Sequence, residues 1–247
     1  MISGYKWRQN NAGFSPAKVF RLDAENKKSL YLKISPRSLA HSLLQEKTKL
    51  EWLKNRLPVP EVLMFAEDES ADYLLLSAIR GADASDASLK ADIPRVIEQL
   101  TRGLKTIHSL PIENCPFDES NDYKIPLAGK LVENNLVDED DFDEIRQGRA
   151  AADLFQELIA AKPDDEDLVF THGDYCVPNI IFENGRLSGF VDWGNAGIAD
   201  RFQDIALLTR SVIYNFGAQY EENVYKIYGI EPDLEKIHFY RLLDEFF

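Results

Sequence analysis

Three polar residues in the C-terminal half of the sequence have types and spacing that could do chemistry. Asp174 precedes Asn179 by five residues, and Asp192 follows after a further 13 residues. One carboxylate can orient or deprotonate an attacking hydroxyl group, while a second carboxylate and an amide oxygen can hold Mg²⁺ on the transferring phosphates. The set therefore predicts phosphoryl transfer, with Asp174 as the base and with Asn179 and Asp192 as metal ligands.

These residues need rigid elements on both sides to hold them. Apolar runs predict short strands over residues 179–182 and 187–191, joined by the turn Glu183–Gly185. Strands can fix the ends of a loop without burying its polar side chains, so the three residues would be held and still accessible. The periodicity predicts helices over residues 92–110, 125–134, 150–161 and from 201 to the end.

The first eighty residues have a different pattern. Apolar and polar side chains alternate, which predicts strands over residues 17–22, 29–34, 62–66 and 73–79. A helix is predicted over residues 42–56, where leucines recur at helical spacing until Pro58 and Pro60 end the pattern.

The change of pattern predicts an α+β chain with two lobes. Residues 1–80 would form a β-rich N-terminal lobe, and residues 81–247 would form a mainly helical C-terminal lobe. The small, polar stretch 81–88 is the expected connection, with the hinge near residues 77–88.

Charge separates the two lobes further. The 247 residues contain 28 Lys and Arg against 42 Asp and Glu, a net charge of −14. Residues 1–80 carry a net +4 and residues 81–247 a net −18. The acidic balance, with no Lys/Arg-rich run, excludes a sequence-independent nucleic-acid binder. The uneven charge suggests an anionic ligand for the first lobe and a cationic one for the second. The alternative is that most of the acids lie on solvated helix faces, and composition alone does not decide between the two.

Several other classes of protein do not fit the sequence. No apolar stretch approaches the roughly 20 residues that cross a bilayer, and residues 1–14 lack the pattern of a signal peptide, so we expect a cytoplasmic protein without membrane contact. Cys115 and Cys176 are far apart and outside any Cys-x-x-Cys pattern, which indicates free thiols rather than a disulfide framework or a zinc site.

Four segments together resemble the aminoglycoside 3′-phosphotransferases, which share the protein-kinase-like fold. They are His172–Asn179, Asp192–Gly194, Gly197–Asp200 with Asp204–Ala206, and the ending Leu242–Phe247. The likeness extends from Gly13–Val19 to Phe247. It implies the same roles for Asp174, Asn179 and Asp192, with ATP, or GTP in its place, as the phosphate donor and Mg²⁺ as the metal. His172 would hold the loop by hydrogen bonding.

The resemblance also implies a nucleotide site in the N-terminal lobe. Lys33, paired with Glu46, would contact the α- and β-phosphates. Tyr31 shares a strand face with Lys33 and would stack on the adenine ring. Ser15 would contact phosphate, and the adenine would hydrogen-bond to backbone groups around Ser77 and Ile79.

A polyamine acceptor would explain part of the acidic balance. The run 138–144 holds six acids in seven residues, and two more stand near the end of the chain. The resemblance implies that the drug's amines contact Asp140, Asp141, Asp143, Asp244, Glu245 and Phe247. One departure stands out, because Asn195 occupies the position where the family pattern has Arg.

The sequence thus predicts an aminoglycoside kinase that confers antibiotic resistance and modifies the 3′-hydroxyl, as a monomer or weak dimer. One alternative is a kinase for another small, cationic, hydroxyl-bearing metabolite or antibiotic, which Asn195 makes credible. The other is a catalytically silent nucleotide-binding module. The complete set of Lys33, Asp174, Asn179 and Asp192 argues against the silent module.

Overall fold

Alternating apolar side chains fold the first part of the chain into an antiparallel sheet. The computed structural model describes residues 2–10, 17–36 and 43–247, so Ser15 lies outside the described residues. The strands are β1 (Lys6–Asn10), β2 (Lys18–Asp23), β3 (Leu30–Pro36), β4 (Val62–Glu67) and β5 (Ala71–Ser77), in the order β1-β2-β3-β5-β4. Helix α1 (Leu43–Leu53) lies between β3 and β4 in the chain.

The two faces of this sheet bury different clusters. Leu22, Leu30, Leu32 and Leu75 form a small cluster on one face. Tyr31, on the other face of β3, packs against the main core of the molecule. Since side chains alternate along a strand, Lys33 points to the same side as Tyr31. The predicted strand pair and the shared face of Tyr31 and Lys33 are confirmed.

The rest of the chain is mainly helical, which confirms the α+β prediction. Its helices are α2 (Ile93–His108), α3 (Asn121–Glu133), α4 (Ala151–Ala160), α5 (Arg201–Phe216), α6 (Glu221–Tyr228) and α7 (Leu234–Leu243). Its strands are β6 (Ala82–Asp83), β7 (Leu168–Thr171), β8 (Ile180–Glu183), β9 (Arg186–Phe190) and β10 (Gly197–Asp200). Among the described residues, no helix combines the length and apolar character needed to cross a bilayer.

Two small sheets position the loops between them. Strands β7 and β10 pair antiparallel, with Thr171 opposite Gly197. Strands β8 and β9 form the predicted hairpin, and its turn residues Asn184 and Gly185 have φ angles of 52° and 71°. The loop after β7 and the loop before β10 therefore start and end at neighbouring positions.

The structure differs from the sequence predictions at five elements. Three strands are not predicted, because β1 is a polar edge strand and the four-residue β7 and β10, unlike β8, have no hairpin turn beside them. Helix α3 begins at Asn121, whereas the sequence predicts a start at residue 125. The first turn of the helix is polar, so hydrophobic periodicity does not detect it. Residues 82–83 form a strand that pairs with β8, so part of the stretch predicted as an irregular connection is ordered.

Gly81, at the start of that stretch, requires both a left-handed backbone and close packing. Its φ is +121°, and a Cβ there would lie 2.0 Å from the Phe182 carbonyl oxygen. We expect Gly81→Ala to lower the free energy of unfolding by more than about 2 kcal/mol, because backbone strain and a clash add together.

The matched control is Gly148→Ala. Gly148 has a φ of +77° and open space around its Cα, so this variant introduces only the backbone strain. Its expected cost is about 1 kcal/mol. Urea denaturation of both variants measures the difference, and equal losses would contradict the close approach at Gly81.

Candidate active site

A buried carboxylate anchors the loop that carries Asp174. Asp204, on α5, is fully buried and accepts hydrogen bonds from the backbone N–H groups of His172 (2.7 Å) and Gly173 (2.8 Å). His108 contacts the same carboxylate at 3.0 Å. Gly173 has a φ of +81°, and a Cβ there would lie 2.0 Å from the Asn195 carbonyl oxygen. The first part of the loop is therefore fixed by its backbone.

His172 joins two loops rather than facing the reactants. Its Nε2 lies 3.0 Å from the Val191 carbonyl oxygen, and its Nδ1 accepts the Asp174 backbone N–H at 3.3 Å. The imidazole packs against the buried ring of Trp193, with 4.4 Å between ring centroids. Burial lowers the pKa of His172, which favours the neutral imidazole that this arrangement uses. The predicted holding role agrees with these contacts.

Asp174 and Asn179 are in direct contact. The Asn179 Nδ2 donates to the Asp174 Oδ2 at 2.8 Å and to the Asp174 carbonyl oxygen at 3.0 Å. Burial, followed by the charges of Asp244 and Asp192, raises the pKa of Asp174 to about 7. Asp174 thus contacts one predicted metal ligand, Asn179, and its pKa responds to the charges of Asp192 and Asp244.

Lys33 connects the N-terminal sheet to Asp192. Its ammonium donates to Glu46 at 2.8 and 3.0 Å and to the Asp192 Oδ1 at 2.9 Å. Burial lowers the pKa of Lys33, but the charges of Asp192 and Glu46 outweigh it and hold the pKa above its usual value. This cluster confirms that the fold brings Lys33 and Glu46 together, as the sequence predicted.

The donor set at Asn179 and Asp192 fits a hard divalent cation. The Asn179 amide nitrogen is engaged with Asp174, so its oxygen is the end left for a ligand. The Asp192 carboxylate is 50 % exposed, on a backbone with a φ of 65°. In the described part of the chain, no three His, Cys, Asp or Glu side chains could together hold a metal. Two oxygen ligands suit Mg²⁺, which takes its remaining ligands from phosphates and water.

The backbone near Ile79 has unused hydrogen-bonding groups. Ser77 makes two hydrogen bonds with Glu61. Its N–H donates to the Glu61 carbonyl oxygen at 2.9 Å, and its hydroxyl accepts the Glu61 N–H at 2.8 Å. No hydrogen bond between described residues involves the Ile79 backbone. Of the two predicted adenine contacts, Ile79 therefore has a backbone that can bond a ligand, while Ser77 is already hydrogen-bonded to Glu61.

The acidic loop meets the end of the chain through two arginines. Arg146 donates to Glu245 at 2.9 Å, and both side chains are 3 % exposed. Arg210 donates to Asp143 at 3.1 Å and also bonds the Asp244 carboxylate. The structure therefore brings these three predicted carboxylates together, but each of them is paired with an arginine that the sequence analysis did not place there.

The other two acidic predictions are more accessible. Asp140 and Asp141 are exposed, in the short 3₁₀ helix Glu139–Asp141. Partial loss of water around Asp141, followed by the charges of Asp138, Asp244 and Asp143, raises the pKa of its carboxyl group.

A narrow recess of only about 10 Å³ lies beside the loop of Asp174. It is lined by Lys124, Gly173, Asn195, Gln203, Leu207, Tyr240, Leu243, Asp244 and Phe247. Asn195, the departure from the family pattern, thus borders the same space as Asp244 and Phe247. The Lys124 ammonium lies 4.1 Å from the centroid of the Phe247 ring. The contact of Phe247 and the five acidic residues with a substrate stays a prediction.

Comparison with known proteins gives the same family throughout. The sequence model of the phosphotransferase enzyme family matches residues 6–240. An aminoglycoside 3′-phosphotransferase from Niallia circulans is 38% identical over 240 residues, which cover 96% of this chain and 91% of that protein.

Two solved structures are similar across nearly the whole chain. The structure of an aminoglycoside 3′-phosphotransferase of type VIII has a TM-score of 0.90 at 33% identity and covers 99% of this chain and 94% of that one. An aminoglycoside phosphotransferase from Streptomyces rimosus, in complex with ADP and streptomycin, has a TM-score of 0.82 at 27% identity and covers 100% and 93%. The predicted two-lobe, kinase-like fold is confirmed.

Glu46 and Glu51 allow a direct test of the buried cluster, since both lie on α1. Glu46 is 3 % exposed and pairs with Lys33, whereas Glu51 forms an exposed pair with Lys47 at 3.0 Å. We expect Glu46→Gln to lower the free energy of unfolding by about 3 kcal/mol, because it breaks a buried ion pair. Glu51→Gln is expected to change it by less than about 0.5 kcal/mol. Chemical denaturation compares them, and two equally small changes would refute the importance of the Lys33 cluster.

Proposed function

The chain belongs to the aminoglycoside 3′-phosphotransferases of the phosphotransferase enzyme family, and on that premise we propose how its residues perform the reaction. The protein transfers the γ-phosphoryl group of ATP to a hydroxyl group of an aminoglycoside, which confers resistance to the drug. We propose the 3′-hydroxyl as the acceptor. Two direct contacts carry the proposal, Asn179 to Asp174 at 2.8 Å and Lys33 to Asp192 at 2.9 Å. They are linked through the backbone N–H of Val191, beside Asp192, which donates to the Asn179 carbonyl oxygen at 2.9 Å.

We propose that Asp174 orients the drug hydroxyl and takes its proton. The hydroxyl oxygen forms a bond to the γ-phosphorus as the bond from that phosphorus to the β–γ bridging oxygen breaks, and ADP leaves with the electron pair. Most of the rate enhancement in such a reaction comes from positioning and from neutralising charge. The contact with Asn179 supports this role, because it holds the Asp174 carboxylate in one orientation.

On the nucleotide side, Lys33 would donate to the α- and β-phosphates while Glu46 holds its ammonium. Tyr31 would stack on the adenine ring, and the Ile79 backbone would hydrogen-bond to it beside Ser77. Asn179 and Asp192 would hold Mg²⁺, which when bound neutralises charge on the phosphates. Asp192 pairs with Lys33 at 2.9 Å, so the phosphate groups and this carboxylate would share one cation.

We also propose that the chain works as two lobes. Residues 1–80 would bind the nucleotide, and residues 81–247 would carry the base and the acceptor site. Because β6 already pairs with β8, the hinge would lie in the short segment 78–81, within the predicted range 77–88. A cytoplasmic location follows from the need for ATP.

Purified protein with Mg-ATP and a panel of aminoglycosides tests the activity. Drugs with a 3′-hydroxyl are expected to gain one phosphoryl group, whereas 3′-deoxy drugs are expected to stay unmodified. Mass spectrometry of the drug and an assay of ADP release measure the reaction. A comparison of turnover with GTP and with ATP identifies the phosphate donor. Turnover confined to unrelated cationic acceptors would favour the second candidate, a kinase for another small cationic metabolite, which the uncharged Asn195 makes credible.

Asp174→Asn should remove most of the chemistry while leaving the nucleotide site intact. We expect kcat to fall about a thousandfold, the usual scale for losing a general base, with the Kd of ADP unchanged. Coupled assay and calorimetry measure the two quantities, and the exposed Asp164→Asn is the matched control. A kcat near that of the unaltered protein would sink the assignment of the base.

The acidic loop should affect the drug rather than the nucleotide. Replacing Asp140 and Asp141 together by Asn is expected to raise the KM of the drug about tenfold, roughly the effect of losing two modest charge contacts, and to leave the KM of ATP nearly unchanged. These two are chosen over Asp143 because Asp143 holds Arg210. Asp164→Asn with Glu231→Gln removes the same charge elsewhere, and an equal effect from that pair would refute the role of the loop.

A further inference from the structure

A second buried charge cluster lies close to the active site and has no role in the chemistry described above. Lys49, Glu119 and Lys124 are only 3, 8 and 3 % exposed. The Lys49 ammonium donates to the Glu119 Oε1 at 2.6 Å, and the Lys124 ammonium lies 3.4 Å from the Glu119 Oε2. Two cations therefore share one carboxylate in the interior of the protein.

Three different elements bring this cluster together. Lys49 lies on α1, three residues after Glu46, so the two side chains share one side of the helix. Lys124 lies on α3. Glu119 is fixed by its backbone, since its N–H donates to the Ile198 carbonyl oxygen at 2.9 Å. Its side chain passes over Gly197, where a Cβ would lie 2.5 Å from the Glu119 Cγ.

Charge balance alone does not explain Lys49. Lys124 would already neutralise Glu119, and a second buried ammonium carries a large desolvation cost. Burial lowers the pKa of Lys49 more than the charge of Glu119 raises it, so the desolvation cost is not fully offset by that carboxylate. Its additional contact is with the backbone, since the ammonium donates to the Gly194 carbonyl oxygen at 2.7 Å.

That contact completes an attachment on both sides of Trp193. Lys33 bonds the Asp192 carboxylate at 2.9 Å, and Lys49 bonds the Gly194 carbonyl oxygen at 2.7 Å. The attachments come from β3 and α1. Asp192 has a left-handed backbone, with a φ of 65°, so the residues that follow it must be held for that conformation to persist.

We propose that Lys49 is a positioning residue for the metal-binding loop: by holding Gly194 it presets the Asp192 carboxylate for Mg²⁺, while Glu119 and Lys124 hold Lys49 in place. The inference rests on the proposed function, in which Asp192 is a metal ligand. Residues that orient a metal ligand typically contribute 10- to 100-fold, as an order of magnitude, to metal affinity. Lys49 thus links α1 to the metal site independently of Glu46.

The test compares Lys49→Met with Lys49→Arg and Lys47→Met. Calorimetry gives the Kd of ADP with and without Mg²⁺ for each protein, a measurement that does not depend on turnover. We expect Lys49→Met to weaken ADP binding about tenfold in the presence of Mg²⁺ and less than about twofold in its absence. Lys49→Arg, which can still donate to both Gly194 and Glu119, should restore most of the Mg²⁺ effect.

Lys47→Met is the matched control, because Lys47 lies on the same helix in an exposed ion pair with Glu51. It should behave as the unaltered protein. If Lys49→Met is too unstable to measure, Glu119→Gln takes its place, because it keeps a hydrogen-bond acceptor for Lys49 but removes the charge. A Mg²⁺-specific loss is again expected, smaller than that of Lys49→Met.

Equal losses with and without Mg²⁺, or a change in melting temperature alone, would overturn the positioning role. Failure of the proposed function gives a different result, since the unaltered protein would then show no Mg²⁺-dependence of ADP binding and no drug phosphorylation. The two failures are therefore distinguishable in the same set of experiments.

Discussion

The ammonium of Lys33, shared between Glu46 and Asp192, is the interaction on which the rest of the site depends. A buried cation needs carboxylates around it, and here these come from α1 and from the loop after β9. The pairing sets where α1 lies against the sheet and where the loop starts. Glu46 lies 13 positions after Lys33 in the chain, and Asp192 lies 159 positions after it. The contact therefore also fixes the sheet against the helical part.

The loops around this cluster are held mainly by their backbones. Asp204 accepts two N–H groups beside Asp174, and Lys49 bonds the carbonyl oxygen of Gly194. The backbones that carry the side chains proposed to do the chemistry are therefore held in place, which is the preorganisation that phosphoryl transfer requires. The same logic extends to the acceptor side, where Arg146 and Arg210 keep like charges together at the end of the chain.

The sequence predicts the architecture and the central residues because their signals are local. Alternation gives the strands, helical spacing gives the helices, and the spacing of Asp174, Asn179 and Asp192 gives the chemistry. Strands β7 and β10 are not predicted, because each has only four residues and, unlike β8, no hairpin turn beside it. Two buried charge clusters are not predicted for another reason. They are the cluster of Lys49, Glu119 and Lys124 and the pair of Arg146 and Glu245. The sequence does not distinguish a buried charged residue from a surface one, and the partner lies far along the chain.

The position of the phosphate on the product is the decisive measurement for the proposed reaction. Phosphorus–proton correlation NMR of a kanamycin-type drug, after incubation with the protein and Mg-ATP, assigns the modified oxygen. We expect a single phosphate ester on the 3′-oxygen. An unmodified drug with release of inorganic phosphate, or an ester on a different oxygen, would contradict the assignment of the 3′-hydroxyl as acceptor.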